Sequence, residues 1–309
     1  MKKPLVADIS LLLVTIIWGT TFVLVQNAID FLEPFSFNAI RFLTAAILLI
    51  LLLVLFEKRQ LKQLDRKLLL SGVFIGFWLF LGYATQTIGL LYTTSSKAGF
   101  ITGLNVVLVP LFSVMLLKQF PSRNAVLGVL TATIGLFLLT MTDVTGLNKG
   151  DGLVFICAIS FALQIIYTGK FSSKYPTMLL TVVQISTVAI LSIISSFIFE
   201  DWKQSFNPDI LLTKDVIIAL IITSVFATAL AFLVQTNFQK YTSATRVALI
   251  FAMEPVFAAI TGFYWANERL SYSALVGCIL IFAGMIFAEL PSKKMAVGKL
   301  NRTIKDKVS

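Results

Sequence analysis

A carboxylate stands in the middle of an apolar stretch of the chain, residues 241–271. Glu254 lies near the centre of this stretch with Pro255 beside it, and Arg246 lies near its start. An ionised group near the centre of a bilayer costs at least about 2.5–3.5 kcal/mol, so such residues normally face a protein interior or a watery cavity. The neighbouring proline removes a backbone donor and loosens the local helix. Glu254 is therefore a candidate for binding a substrate or a proton.

Two alternatives to this interpretation stay open. Glu254 could be the structural partner of a buried arginine or hydroxyl group, or the boundary of the apolar segment could be misplaced. If the side chain does face a cavity, its apolar surroundings favour the neutral form of the carboxyl group. Exchange of that proton would then allow coupling to a proton gradient.

The composition indicates an integral membrane protein. Of the 309 residues, 58% are hydrophobic and 13% are charged, and the mean hydropathy of +0.92 is far above that of an average soluble protein. The net charge is +10, but the basic residues flank the apolar segments, so no nucleic-acid partner is expected. The chain lacks histidine, which excludes a histidine proton relay, and Cys157 and Cys278 lie in apolar runs without a CxxC pattern. No metal site, disulfide framework or cofactor is therefore predicted.

Ten apolar runs are each long enough to span a bilayer as a helix. The first run follows Met1, Lys2 and Lys3 and so resembles the start of a signal peptide. Its length and the lack of a small-residue cleavage site predict a retained helix instead. The sequence thus predicts an all-α integral membrane protein with ten transmembrane helices, at residues 8–29, 35–56, 68–90, 95–117, 123–141, 151–169, 177–199, 213–236, 244–265 and 272–290.

The distribution of basic residues predicts the orientation. With the amino terminus in the cytoplasm, 18 of the 25 Lys and Arg residues fall in inner segments and four in outer loops. Because cytoplasmic segments carry an excess of Lys and Arg, both termini are predicted to be cytoplasmic, in a multi-pass protein of the plasma membrane.

An internal repeat relates the two halves. Shifted by 149 residues, residues 81–135 match residues 230–284 at eleven of 55 positions, and a shift of 143 relates the earlier helices. Chance likeness between apolar helices is the alternative, but the polar register argues against it. The corresponding residues are Gln86 and Gln235, Lys97 and Arg246, Asn105 and Glu254, Asp8 and Asp151, Trp18 and Phe161, and Arg41 and Gln184.

The repeat predicts an inverted architecture. Each half holds five predicted helices, an odd number, so the second half enters the membrane from the opposite side. Secondary transporters build alternating access from such repeats, with a substrate site near the midplane. The predicted division is a first five-helix repeat at 1–145, a second at 146–290 and a basic cytoplasmic tail at 291–309, with the two inverted five-helix repeats around a central cavity.

Several short motifs resemble those of the drug/metabolite transporter superfamily, in its EamA-type ten-helix members. The resemblance covers residues 8–290. It is carried by residues 18–22 (WGTTF), Pro34 with Arg41 and Phe42, residues 94–98 (TSSKA) through Pro110, residues 254–259 (EPVFAA) and residues 267–271 (NERLS). In the first half, residues 118–122 (KQFPS) replace the acidic residue typical of that loop, which puts its role there in doubt.

The resemblance implies a fold and a function. It implies ten helices in two inverted bundles around a central cavity, with helices 3, 4, 8 and 9 prominent in the lining. It also implies carriage of small metabolites, often amino acids and commonly outward.

Three cations lie within the predicted helices. Lys97 and Arg246 begin predicted helices 4 and 9, where they could give an anionic or zwitterionic substrate a favourable approach, or could instead extend to lipid phosphates. Arg41 lies about two turns inside predicted helix 2. A structural pairing of Arg41 with an acid or with carbonyl groups is expected, and the candidate acids are Asp8, Asp30 and Glu33.

Amides and one tryptophan complete the candidates. Gln86, Gln164, Gln184 and Gln235 can hydrogen-bond a substrate or a neighbouring helix. The symmetric pair Gln86 and Gln235 has the stronger claim to the cavity, with Gln164 beside it, whereas Gln184, Pro110 and Pro255 are expected to be structural. Trp18 is expected to pack or to form a cavity wall, and Asn105 cannot ionise, so only the half that carries Glu254 could exchange protons.

These observations predict a secondary transporter that exports amino acids or related metabolites by alternating access, with proton coupling and a homodimer left open. Its expected partners are a small-molecule metabolite and the lipid bilayer. A multidrug efflux carrier is the alternative. A membrane enzyme or a channel fits less well, because the sequence has neither a cluster of reactive groups nor an evident ring of selectivity residues.

Overall fold

A computed structural model describes residues 2–93, 95–140, 148–201, 203, 207–265 and 271–290. The predicted tail at 291–309, motif residues 267–270 and Thr94 lie outside these residues. All regular elements in the described ranges are helices, which confirms an all-α membrane protein. Nine helical segments in these ranges, with interrupted helices counted as one segment, are long and apolar enough to cross a membrane, and the tenth predicted segment is a shorter apolar helix, Tyr272–Ala288. The count of ten stays a prediction.

The helices are labelled in chain order. The first six are α1 (Lys2–Ile29), α2 (Pro34–Phe56), α3 (Arg66–Leu90), α4 (Ser95–Gly103), α5 (Asn105–Leu117) and α6 (Arg123–Thr140). The next seven are α7 (Lys149–Ser172), α8 (Thr177–Phe199), α9 (Lys214–Ser224), α10 (Ala231–Gln239), α11 (Ala244–Phe251), α12 (Glu254–Trp265) and α13 (Tyr272–Glu289). A short 3₁₀-helix, Lys58–Gln63, follows α2, and a one-turn helix, Pro208–Leu211, precedes α9.

Short polar side chains determine where several helices begin. The Asp65 carboxylate accepts a hydrogen bond from Leu68 N at 2.7 Å at the start of α3. Asn148 and Asp151 form a capping box at the start of α7, and Ser271 caps α13. Each of these side chains satisfies a backbone N–H that has no partner within the first helical turn.

Three predicted spanning segments are interrupted, and none of the three interruptions was predicted from the sequence. Predicted helix 4 divides into α4 and α5 at Leu104, and predicted helix 9 divides into α11 and α12 at residues 252–253. Predicted helix 8 contains a π-helical turn, Val225–Leu230, between α9 and α10. Pro255 is the second residue of α12. Its missing N–H removes a bond that a continuous helix would make to Phe251 O, and proline is well tolerated in a first turn.

Helices α6 and α13 pack closely because glycines face each other across the contact. A Cβ atom at Gly128 would lie 2.5 Å from Gly284 O, and one at Gly135 would lie 2.7 Å from Gly277 O. The reverse contacts are equally close. Small residues allow such close approach between helices in a membrane, so these four positions determine the spacing of α6 and α13.

Two groups of helices face each other in the centre of the molecule. The α1 group consists of α1 with α9, α10, α11 and α12, and the α7 group consists of α7 with α3, α4 and α5. Each group combines helices from both sides of residue 146. Helices α2 and α8 pack against each other, and the Glu200 carboxylate after α8 accepts hydrogen bonds from Phe35 N at 2.6 Å and Ser36 N at 2.7 Å.

Candidate substrate cavity

A cavity lies between the α1 group and the α7 group. It contains about 830 Å³ of space free of atoms, part of it open to solvent. Its wall is mainly apolar with a few convergent polar groups, which is typical of small-molecule sites. Five cavity candidates from the sequence line it, namely Trp18, Gln86, Asn105, Gln164 and Glu254, and so does Arg41, for which a structural pairing was expected.

The two helix interruptions place Asn105 and Glu254 at the cavity. Asn105 is the first residue of α5 and Glu254 the first residue of α12, and both line the cavity. A helix that begins inside a membrane presents unpaired N–H groups and the positive end of its dipole, an arrangement that transporters use for substrate sites. Helix α1 approaches this position closely, since a Cβ atom at Gly19 would lie 2.6 Å from Glu254 O.

Arg41 reaches the cavity from α2, and hydroxyl groups hold its side chain. Its Nε donates to Thr228 Oγ1 at 2.7 Å and its Nη2 to the Tyr83 hydroxyl at 3.5 Å, and the guanidinium lies 4.9 Å from the Tyr83 ring centroid. Arg41 is only 4% exposed. The expected partners Asp8, Asp30 and Glu33 are thus replaced by hydroxyl groups. Glu254 lines the same cavity as Arg41.

The π-helical turn of predicted helix 8 supplies one contact to Arg41 and one to Trp18. Thr228 lies within the turn, and Ala227 O in the same turn accepts a hydrogen bond from Trp18 Nε1 at 2.8 Å. A π-helical turn changes the local backbone hydrogen bonding, and such turns occur often at functional sites. The expectation that Trp18 packs or forms a cavity wall agrees with this position.

Aromatic rings form two corresponding pairs around the cavity. Trp18 packs against Phe232, with ring centroids 5.4 Å apart, and Phe161 packs against Tyr83 at 5.3 Å. The shift of 143 relates Trp18 to Phe161, and the shift of 149 relates Tyr83 to Phe232. Tyr83 was not singled out from the sequence, although its position opposite Phe232 in the repeat is a signal that could have found it.

The glutamines have separate positions. Gln86 lines the cavity and its Nε2 donates to Thr102 Oγ1 at 3.3 Å. Gln235, expected to share the cavity with Gln86, does not line it. Its Nε2 donates to Gln164 Oε1 at 3.3 Å in the protein interior. Gln184 lies outside the cavity, fully buried, and neither atom of its amide has a hydrogen-bond partner. Pro110 is also buried, inside α5.

Lys97 and Arg246 form ion pairs inside the protein. Lys97 Nζ lies 2.8 Å from Asp151 Oδ2, and Arg246 Nη2 lies 2.7 Å from Asp8 Oδ2. Neither cation lines the cavity, and pairing with an acid was not among the roles expected for them. The acids that pair with them are 54 and 238 residues away in the sequence.

Among the described residues, no group of three or more His, Cys, Asp or Glu side chains could hold a metal ion. The cavity instead offers a cation at Arg41, a carboxyl group at Glu254, amides and aromatic faces. Such a set can bind a small polar molecule through charge and hydrogen bonds while its apolar part contacts the rings.

Comparisons with known proteins agree with this architecture. An uncharacterized transporter of Archaeoglobus fulgidus is 36% identical over 93% of this chain and 87% of its own length. The uncharacterized transporter YvbV of Bacillus subtilis is 27% identical over 90% of each chain. A WAT1-related chloroplastic protein of Arabidopsis thaliana is 26% identical over 89% of this chain and 67% of its own.

A solved crystal structure of a protein has the same fold, with a TM-score of 0.77, 18% identity and coverage of 94% of this chain and 98% of its own. The model of the EamA-like transporter family matches twice, at residues 5–141 and 148–290. With its apolar helices and central cavity, the chain is a multi-pass membrane transporter that belongs to the EamA-like transporter family.

Proposed function

We propose that this transporter exports amino acids or related small metabolites by alternating access. The observation that carries the proposal is the presence of a guanidinium and a carboxyl group in one cavity, at Arg41 and Glu254. A zwitterion could place its carboxylate against Arg41 and its ammonium group against Glu254. The aromatic wall formed by Trp18, Phe161 and Phe232 would contact its side chain.

The two inverted repeats supply the mechanism in this proposal. The double match to the family model at 5–141 and 148–290 supports two repeats. The reciprocal contacts at Gly128 with Gly284 and at Gly135 with Gly277 support an antiparallel relation, since the shift of 149 converts one contact into the other. In such folds two bundles rock around a fixed central site.

Proton coupling belongs to the second repeat. Glu254 can bind and release a proton, whereas Asn105, which occupies the corresponding position at the other helix interruption, cannot. A proton on Glu254 would remove the charge that holds an ammonium group. Binding of a proton and binding of a substrate would therefore compete, which is the requirement for exchange of one against the other.

The test uses purified protein in lipid vesicles with a panel of labelled amino acids. We expect saturable flux that increases with a pH gradient, and we expect Glu254→Gln to abolish the effect of the gradient. Gln184→Met is the matched control, because Gln184 is a buried amide outside the cavity. Failure to move any member of a broad metabolite panel, with or without a gradient, would refute the proposal.

Drug efflux is the second candidate function, favoured by the aromatic wall. It is distinguished by competition within the same vesicles. An apolar cation that inhibits amino acid flux without being carried would exclude it, and saturable flux of the cation that requires Glu254 would establish it.

A further inference from the structure

One end of the cavity is closed by contacts between the α1 group and the α7 group. Gln235 Nε2 donates to Gln164 Oε1 at 3.3 Å, and Gln239 Nε2 donates to Ile165 O. Gln164 and Gln235 are 2% and 1% exposed. An apolar cluster that includes Leu11 of α1 surrounds these contacts. They lie toward the end of the molecule where α1 begins, which we call the amino-terminal end.

The other end is less closed. The cavity lining continues to Val25 in α1 and to Leu90 at the end of α3. We call this the far end. Thr21 of the α1 group and Gln86 of the α7 group both line the cavity there, and both are held within their own groups. Gln86 donates to Thr102 Oγ1, and the Thr21 hydroxyl donates to Ile17 O at 3.0 Å.

These two residues correspond to the pair that closes the amino-terminal end. The shift of 149 relates Gln86 to Gln235, and the shift of 143 relates Thr21 to Gln164. The counterpart of the hydrogen bond from Gln235 to Gln164 would be a hydrogen bond from Gln86 to Thr21. That bond is not formed in this structure, where Gln86 donates to Thr102 and Thr21 donates to Ile17 O.

Contacts inside each group differ from this contact between the groups, because the ion pair and the aromatic pair in one group each have their counterpart formed in the other. The ion pair of Lys97 with Asp151 inside the α7 group corresponds to that of Arg246 with Asp8 inside the α1 group. The aromatic pairs around the cavity are also both formed. Each of these contacts within a group therefore occurs twice, once in each group, whereas the contact of Gln235 with Gln164 between the groups occurs once. This difference marks the surface along which the groups separate.

We infer that Thr21 and Gln86 form a second gate, which closes the far end of the cavity when the contact of Gln235 with Gln164 opens. The inference rests on the alternating access proposed above. In the alternate state the Gln86 amide leaves Thr102 and donates to the Thr21 hydroxyl. Leu90, the counterpart of Gln239, moves with it and covers the cavity with an apolar side chain.

Disulfide trapping tests this gate. In a background that carries Cys157→Ala and Cys278→Ala, the pair Thr21→Cys with Gln86→Cys is oxidised in membranes. A disulfide forms only when the two Cβ atoms approach to about 3.5–4.5 Å, and closure of the far end would bring the two positions close enough for thermal motion to reach that distance. The pair Gln164→Cys with Gln235→Cys traps the present state, and each single cysteine variant under the same oxidation is the control.

Two readouts separate the gate from the transport proposal. Labelling of Asn105→Cys by a charged, membrane-impermeant maleimide reports access to the cavity from the far end and needs no substrate. We expect oxidation of the Thr21 and Gln86 pair to lower this labelling at least tenfold, and reduction to restore it. Amino acid flux should fall with either disulfide and recover on reduction.

Each outcome is decisive for the gate. A Thr21 and Gln86 disulfide that never forms in membranes where the Gln164 and Gln235 pair is oxidised, or one that forms and leaves both labelling and flux unchanged, would overturn it. Reduced labelling in a protein that carries no amino acid in any variant would support the gate and refute the proposed function. Amino acid flux in a protein whose labelling is not lowered by the Thr21 and Gln86 disulfide would support the proposed function and refute the gate.

Discussion

Arg41 is a buried cation whose hydrogen-bond partners are hydroxyl groups. Thr228 and Tyr83 orient the guanidinium, but hydroxyl groups do not neutralise a positive charge, and a buried charge without compensation is costly. Glu254 lines the same cavity and attracts the guanidinium when its carboxyl group is ionised. A substrate carboxylate would supply more, because it can accept two parallel hydrogen bonds from the guanidinium.

We therefore expect Arg41→Lys to raise the KM for an amino acid about tenfold or more, since lysine keeps the charge but loses the planar donor geometry. Flux of the corresponding amine without a carboxylate should be affected far less. The measurement is the ratio of the two KM values in vesicles. An equal change for both substrates would show that Arg41 acts only on the fold.

Gln184 occupies the position in the repeat that corresponds to Arg41, but its side chain has no hydrogen-bond partner. Both atoms of its amide are buried and unpaired, and each such group costs about 1–3 kcal/mol. We expect Gln184→Met, which is similar in volume, to raise the melting temperature in detergent while flux stays unchanged. A lower melting temperature would contradict the assignment of Gln184 as a buried amide without a hydrogen-bond partner.

At the scale of the helices, the closest packing is between α6 and α13. A Cβ atom at Gly128 would meet a backbone carbonyl, whereas one at Gly152 in α7 would meet no atom within 4 Å. We expect Gly128→Ala to destabilise the protein by about 1–3 kcal/mol through overpacking, with Gly152→Ala as the matched control. Thermal unfolding of the two variants in detergent measures the difference, and equal stabilities would contradict the assigned packing.

Much of the helix pattern follows from the sequence, because apolar length determines where a chain crosses a membrane. The interruptions do not follow as directly. Pro255 lies at the interruption before α12, but Pro110 lies inside α5, several residues after the interruption at Leu104. A proline therefore signals a weakened helix without giving the position where it ends.

The ion pairs of Lys97 and Arg246 show why contacts between distant helices were not predictable from the sequence. A cation in the first turn of an apolar helix has the same sequence pattern whether it faces lipid, substrate or an acid. Asp151 and Asp8 come from distant helices. The repeat register relates the two cations to each other and the two acids to each other, but it does not relate a cation to its acid.

At the scale of the whole molecule, the helices that pack together are not those of one predicted repeat. The predicted repeats divide the chain near residue 146, but the α1 group and the α7 group each take helices from both sides of that boundary. The family and the membrane class can be recognised from either repeat. The cavity, in contrast, is lined by helices from both halves of the chain.

The pair of Asp8 and Arg246 gives this arrangement a consequence for biosynthesis. The two residues are separated by 238 positions, so at about 5–20 residues per second the ribosome adds Arg246 roughly 12–48 s after Asp8. Until Arg246 has been added, this ion pair cannot form. The first helix of this transporter therefore acquires this contact only after most of the chain has been synthesised.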